Sequence, residues 1–243
     1  MSLAPAIWRG HFFVWGILGA QMLLQMLLPN TAIAAPDWVA AQTPADWLTL
    51  AERAVWEGWP SPKRRAEWLA GRLAVKRLLQ ERYGTDPLAC HVAREGVAPV
   101  VRGECPPGLS LSLSHSGGLG AAALCASAEG TVGVDVQQIR PVHRGLAARV
   151  LTECEREQIE TPDEVLLLWA LKEAAIKARR LPWGRALRDL QVRLTGPGEA
   201  EIAIAGEAAQ TAAYAYLAGG WWLARSIRPR EARFLEAGPD ATA

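Results

Sequence analysis

The chain has 243 residues, half of them hydrophobic, which is enough to bury one large core or two smaller ones. Lysine plus arginine number 26 against 25 aspartates and glutamates. No global charge therefore directs the chain to nucleic acid or to a membrane surface, and an anion site must come from local clustering. Cys90, Cys105, Cys125 and Cys154 are too widely spaced for a metal-ligand pattern or a dense disulfide framework, so they read as free thiols.

The chain opens with "WRGHFFVWGILGAQMLLQMLLPNTAIAAP", Trp8 to Pro36. Its basic start, apolar run and small-residue ending imitate a secretory signal peptide. His11, Gln21 and Gln25 make it a poor membrane span. The rival reading is a buried strand, "FFVWGIL", followed by a short apolar helix. Pro44 to Gly58 reads as one helix with mixed faces. A longer helix starts at "SPKRRAEW", where Ser61 can cap it and Pro62 fits its first turn, and Gly84 stops it. Leu88 to Gly108 is loop-rich, with Pro99, Pro106 and Pro107. "LSLSLSHSGG" and "LGAAALCASA" then read as two strands.

"TVGVDVQQIR" alternates Val132, Val134 and Val136 with Gly133, Asp135 and Gln137. That period of two predicts a strand with a carboxylate in its middle. "RGLAARVLTECEREQIE" and "TPDEVLLLWALKEAAIKARR" read as helices, the second opened by Thr161 and Pro162. Four strand-like pieces close the chain: "RDLQVRL", "AEIAIA", "TAAYAYLA" and "GWWLARSI". Long helices followed by short strands in each half predict an α+β fold of two related halves, residues 1–127 and 128–243, with no strict sequence repeat visible.

Four places could carry chemistry. Trp169, Glu173 and Lys177 lie four residues apart and share one helix face. They are either an ordinary surface Glu–Lys pair or a carboxylate and an ammonium offered together to an anion. Asp135 is either a turn-capping aspartate or a buried carboxylate that needs a partner; with Glu173 it would supply two hard oxygen ligands suited to Mg2+. His115, flanked by Ser114 and Ser116 before a glycine pair, is a structural histidine or a phosphate contact. The basic helix places Arg65, Arg72 and Lys76 near one line, as a solvated face or as a phosphate grip.

In sequence order, "RRAEWLAGR", "SLSHS", "GVDV" and W-x-x-K-E-A-x-x-K (Trp169, Lys172, Glu173, Ala174, Lys177) resemble the 4'-phosphopantetheinyl transferase superfamily, in its longer surfactin-synthetase-activating form. The resemblance covers roughly residues 62–180. It implies two similar halves, each with long helices packed on a small, mainly antiparallel sheet. It also implies a holo-[acyl-carrier-protein] synthase type of enzyme. Such an enzyme would move the phosphopantetheine arm of coenzyme A to a serine of an apo carrier protein and release adenosine 3',5'-bisphosphate.

By the resemblance, Asp135 and Glu173 would ligate Mg2+, with Gln137 joining directly or through water. Glu173, or a water it orients, would take the serine proton, and Lys177 would contact the phosphates. Ser114 and His115 would hold phosphates of coenzyme A, and Arg64, Arg72 and Arg94 would grip its nucleotide end. The motif register favours Arg64 where helical geometry favours Arg65. Gln137 departs from the glutamate that many members carry there, and removes one negative charge from the site. The resemblance further implies a monomer in the cytoplasm, with coenzyme A and a carrier protein as partners, no nucleic acid and no stable membrane association. Its "FFVWGIL" would be the first strand of the N-terminal half. The alternatives are a non-catalytic relative that binds coenzyme A or a carrier, or an exported protein with a true signal peptide.

Overall fold

The computed structural model describes residues 13–14, 28–143, 145–182 and 186–230. Residues 15–27, which carry most of the apolar run behind the signal-peptide and apolar-helix readings, lie outside them, whereas its small-residue ending is described and forms a strand, Thr31–Ala34, paired antiparallel with Gly120–Ala123. Among the described residues no helix is long and apolar enough to cross a membrane.

The elements in chain order are β1 (Phe13–Val14), β2 (Thr31–Ala34), α1 (Pro36–Ala40), α2 (Pro44–Trp47), α3 (Leu50–Glu57) and α4 (Pro62–Tyr83). Strands β3 (Cys90–Glu95), β4 (Ala98–Gly103), β5 (Leu109–Ser116), β6 (Leu119–Ala126) and β7 (Gly130–Gln138) follow. Next come α5 (Leu146–Val150), α6 (Glu153–Arg156), α7 (Glu164–Arg179) and α8 (Ala186–Asp189), then β8 (Leu190–Gly196), β9 (Glu199–Ile204), β10 (Gln210–Leu217) and β11 (Trp221–Pro229). The fold is α+β, as expected: each half packs one long helix on a mainly antiparallel sheet. Helix α4 covers the sheet β2-β6-β5, and α7 covers the sheet β7-β11-β10-β9-β8.

Local chemistry explains most boundaries. Ser61 caps α4 by accepting from Arg64 N, and Gly84 ends it with φ 67°, where a side chain would be strained. Both long helices press hard on a strand. A Cβ on Gly120 of β6 would collide with the Ala70 carbonyl of α4, and one on Gly133 of β7 with the Ala174 carbonyl of α7. The alternation in "GVDV" thus continues onto a face that a helix backbone covers, and β7 is buried on both sides.

Four expectations need correction. Leu88 to Gly108 is more than a loop, since β3 and β4 pair as an antiparallel hairpin turned by Gly96, with φ 57°. Pro99 and the ribbon's exposed turn hid it. The single helix expected over Pro44 to Gly58 is two, because Leu48 is extended (φ −103°, ψ 131°) and Thr49 opens a new N-cap. "RGLAARVLTECEREQIE" likewise breaks, at Leu151 and Thr152. Finally, the described part of "FFVWGIL" does not join the N-terminal half's sheet. Phe13 and Val14 pair in parallel with Tyr216 and Leu217 of β10, in the other half. Pairing of β10 with β9 stops at Ala213, and β1 takes the backbone edge that this leaves.

The two helix breaks reveal a short repeat. "LTLAER", Leu48 to Arg53, and "LTECER", Leu151 to Arg156, are built alike. In each, threonine and glutamate form a capping box, Thr49 with Glu52 and Thr152 with Glu155. The same glutamate binds a fully buried lysine of the long helix: Glu52 to Lys76 at 2.9 Å and Glu155 to Lys172 at 2.6 Å. Its other oxygen accepts from a strand amide, Val92 N at 2.9 Å or Val192 N at 2.7 Å. Each lysine also donates to two backbone carbonyls: Lys76 to Pro87 and Cys90, Lys172 to Val150 and Leu187. Each lock therefore ties a short capped helix, a long helix and a strand together. Lys76 consequently belongs neither to a solvated face nor to a phosphate grip.

Candidate active site

The halves meet along β5 and β7. These strands run side by side in parallel, and the serines of "LSLSLSHS" bridge the gap in place of backbone-to-backbone bonds. Ser110, Ser112 and Ser116 accept through Oγ from the amides of Val132, Val134 and Gln138 at 3.0–3.1 Å. Ser114 uses its hydroxyl differently, donating to Asp135 Oδ1 at 2.6 Å. The alternation that makes β5 a strand thus also presents a row of hydroxyls to β7.

Asp135 is 1% exposed, yet its carboxylate is well satisfied. Besides Ser114, it accepts from Lys177 Nζ at 2.6 Å and, through Oδ2, from Gln137 Nε2 at 2.7 Å. Lys177 also donates to Val134 O at 3.0 Å. Glu173 lies one turn earlier on α7, accepts from Trp169 Nε1 and lies close enough to Asp135 for the two carboxyls to interact. The four-residue spacing therefore does bring Glu173 and Lys177 to Asp135, with Trp169 behind them bonded to Glu173. Burial first, and then the Asp135 charge, push the Glu173 carboxyl up to about 8, against the pull of the Lys177 ammonium and the Trp169 N–H.

Two adjacent buried carboxyls, one inclined to keep its proton, form a set that a hard cation would suit. The donor chemistry fits Mg2+: two carboxylates with an amide beside them, hard oxygen donors next to a cleft that could admit phosphate. The Gln137 amide nitrogen faces Asp135, so its oxygen would reach a metal only after the amide turns over. Where Gln137 stands, a glutamate would add a third charge to the pair. The amide instead holds Asp135 in position.

Beside this cluster a cleft of about 540 Å³ opens between the halves. Lys177 links the two, lining the cleft while its Nζ rests on Asp135. Arg72, Arg94 and His115 also line it, and among the described residues no carboxylate does. Asp135, Glu173 and Ser114 lie behind the wall. Arg72 stacks over Trp68 at 4.4 Å, and its Nε is buried without a hydrogen-bond partner. Burial, with the nearby Arg94 charge adding to it and Glu52 opposing, lowers the Arg72 pKa. His115 stands above Glu67, its Nδ1 at 3.9 Å from a carboxylate oxygen. Burial is the main cause that lowers its pKa below 6.5, so it is largely neutral at pH 7. A cleft with clustered cations, one unsatisfied guanidinium N–H and no acid on its wall is suited to a polyanion.

Neither Arg64 nor Arg65 lines the cleft. Arg65 donates to the Glu57 and Trp59 carbonyls, at 3.4 and 2.9 Å, and stacks near Trp56, which fastens the start of α4. Arg64 is exposed and lies over the Trp59 ring at 6.0 Å, at the edge of the cleft but off its wall. Sequence reasoning overlooked Trp68 and Arg180, which both line the cleft. Trp68 sits inside the quoted "RRAEWLAGR", four residues before Arg72, and that spacing was its signal. Arg180 ends α7 where a glycine would usually stand. The four cysteines are free thiols, as expected.

Comparison with known proteins covers both halves. Residues 131–226 match the model of the 4'-phosphopantetheinyl transferase superfamily, and residues 60–125 match the model of the 4'-phosphopantetheinyl transferase N-terminal domain. The 4'-phosphopantetheinyl transferase AcpT of Salmonella typhimurium is 38% identical over 128 residues, which cover 49% of this chain and 62% of the relative. AcpT of Escherichia coli K12 is 36% identical over 128 residues, covering 49% and 60%. The 4'-phosphopantetheinyl transferase psf-1 of Bacillus pumilus is 28% identical over 141 residues, covering 55% and 58%. Each match thus spans less than two thirds of the relative's own length. With both halves matched in order, and the paired carboxyls and the cationic cleft lying at their junction, the chain belongs to the 4'-phosphopantetheinyl transferase superfamily.

Proposed function

We propose that the protein transfers the 4'-phosphopantetheine arm of coenzyme A to a serine hydroxyl of an apo carrier protein. The observation that carries this reading is the cluster of Asp135, Glu173 and Lys177 beside an acid-free cationic cleft. The cleft is large enough for a phosphorylated nucleotide and carries the charges to hold one. Arg72 and Arg94 grip the nucleotide phosphates. His115 contributes a neutral ring N–H, and Ser114 acts by holding Asp135.

The serine oxygen forms a bond to the phosphorus that carries pantetheine, and the bond from that phosphorus to the bridging oxygen breaks. Adenosine 3',5'-bisphosphate leaves with the bridging oxygen, and the serine proton passes to Glu173 or to a water it orients. Lys177 stabilises the leaving oxygen. Asp135 and Glu173 would hold Mg2+, with Gln137 orienting Asp135 or a bound water; the ion would offset charge on the diphosphate. Carrier proteins present acidic helices, so the carrier would approach where the cleft's cations reach the surface.

The test incubates the full chain with coenzyme A, Mg2+ and a panel of apo carriers from fatty-acid, polyketide and peptide synthesis. Intact-mass analysis should show at least one carrier gaining one phosphopantetheinyl group. The gain should be matched by release of adenosine 3',5'-bisphosphate and abolished by chelation. No gain on any carrier, while a control transferase modifies the same panel, would overturn the reading.

A further inference from the structure

Arg180 has an unusual combination of properties. It follows the last residue of α7 with φ 55° and ψ 34°, the left-handed conformation that disfavours side chains. Asn30 is the other non-glycine residue with positive φ among those described, and asparagine tolerates that region well. Glycine is the usual solution at this position of a helix end. The chain places its longest cationic side chain there instead.

That side chain is exposed and lines the cleft together with Lys177, three residues earlier. Among the described residues no carboxylate pairs with it. The salt bridges at this end of the helix use Arg179, which turns to Glu207 at 3.2 Å. Adjacent arginines thus have opposite fates: Arg179 is buried and paired within the C-terminal half, whereas Arg180 is left unpaired over the cleft. Helix-end hydrogen bonds accompany this conformation, Arg180 N to Lys177 O at 3.2 Å and Leu181 N to Ile176 O at 3.1 Å, but among the described residues no ion pair holds the side chain. Strained residues of this kind persist where they serve a site.

We infer that Arg180 is a substrate contact that binds a phosphate group of the nucleotide, adding a cation to the side of the cleft opposite Arg72 and Arg94. The inference rests on the coenzyme A reading above. It adds a recognition charge from the C-terminal half, so both halves would close on one polyanion. The adjacent Lys177 is committed to Asp135 and the reacting groups. Arg180 is free of them and would set affinity more than rate.

Calorimetry and thermal melting of the full chain test this with Arg180→Gly, Arg180→Asn and Arg180→Lys. Glycine and asparagine both accept the left-handed conformation, so both variants should melt at the wild-type temperature or up to about 4 °C higher. Both should bind coenzyme A about ten- to a hundredfold more weakly, with a shallower salt dependence, while lysine retains part of the affinity. Dephospho-coenzyme A identifies the phosphate. A loss confined to coenzyme A assigns the 3'-phosphate, and an equal loss on both assigns the diphosphate; either supports the inference.

Wild-type affinity for both ligands in Arg180→Gly would overturn it. So would a change seen only in KM for the carrier, since Arg180 would then face the protein partner. If the wild-type chain binds neither coenzyme A nor adenosine 3',5'-bisphosphate, the coenzyme A reading fails and the assignment falls with it. Binding by the wild type with no loss in the variants sinks the assignment alone.

Discussion

At the scale of single residues, Asp135 shows how a carboxylate survives in an apolar strand. Its three hydrogen-bond donors come from β5, α7 and its own strand. Gln137 is one of them, so Gln137→Glu should bring a like charge against Asp135. That variant should melt lower than wild type without added Mg2+ and recover most of the difference with it, as differential scanning fluorimetry would show. His115 sets a pH dependence whose sign follows from burial. Its pKa lies below 6.5 in the folded protein, so the unfolded chain binds the extra proton first. Its contribution to stability is fully present above pH 6.5 and is lost as pH falls toward the folded value. Melting curves between pH 7.5 and 5 should therefore be flatter for His115→Gln than for wild type. An anionic ligand should reverse the sign locally, since phosphate favours the imidazolium. Much of this was legible from spacing: Glu173 and Lys177, four residues apart, both meet Asp135, and Trp169 one turn earlier bonds Glu173, as helix geometry requires. The roles of the four serines of β5 were not legible, because a period of two shows which side chains share a face and not which strand they meet.

At the scale of elements, the two Glu–Lys locks explain why the long helices hold their positions. Lys172 is fully buried next to Glu173, and all of its donors are directed to Glu155, Val150 and Leu187. Burial lowers its pKa, and the hydrogen bond and charge of Glu155 oppose that shift. Lys172→Met and Lys76→Met should each cost about 3–5 kcal/mol, because each leaves a glutamate buried without its cation. Denaturant midpoints would measure both. Only Lys172→Met should also change the pH profile of transfer, since only that lock places Glu173. The sequence shows both "LTxxER" stretches plainly, yet neither reads as a repeat on its own. The match is six residues long, and its meaning lies in contacts to lysines and strands distant in the chain. The same stretches were misread as helix interior, because threonine and glutamate at a break mimic ordinary amphipathic spacing.

At the scale of the whole molecule, the function depends on two sheets that meet without merging. The serine bridges join β5 to β7, and Ser110, Ser112 and Val132 at this junction line the cleft. Ser112→Ala would leave the Val134 amide without its partner, at a cost of about 1–3 kcal/mol. It should also weaken coenzyme A binding, which titration calorimetry would detect. Coenzyme A at a hundred times its Kd should add about 2.7 kcal/mol to stability in a single cooperative transition, because the proposed site draws its lining from both halves. The α+β plan of two halves followed from the order of helices and strands. The attachment of β1 to the far half did not, because edge availability on β10 is a property of the assembled sheet. The central claim is that Asp135 and Glu173 form the reaction centre and the cleft forms the binding site. Its most direct test measures coenzyme A affinity and carrier modification together for Glu173→Gln and Asp135→Asn. Both variants should remain folded, bind coenzyme A within a few-fold of wild type and transfer at least about a hundredfold more slowly. Near-normal carrier modification by either variant would contradict the account.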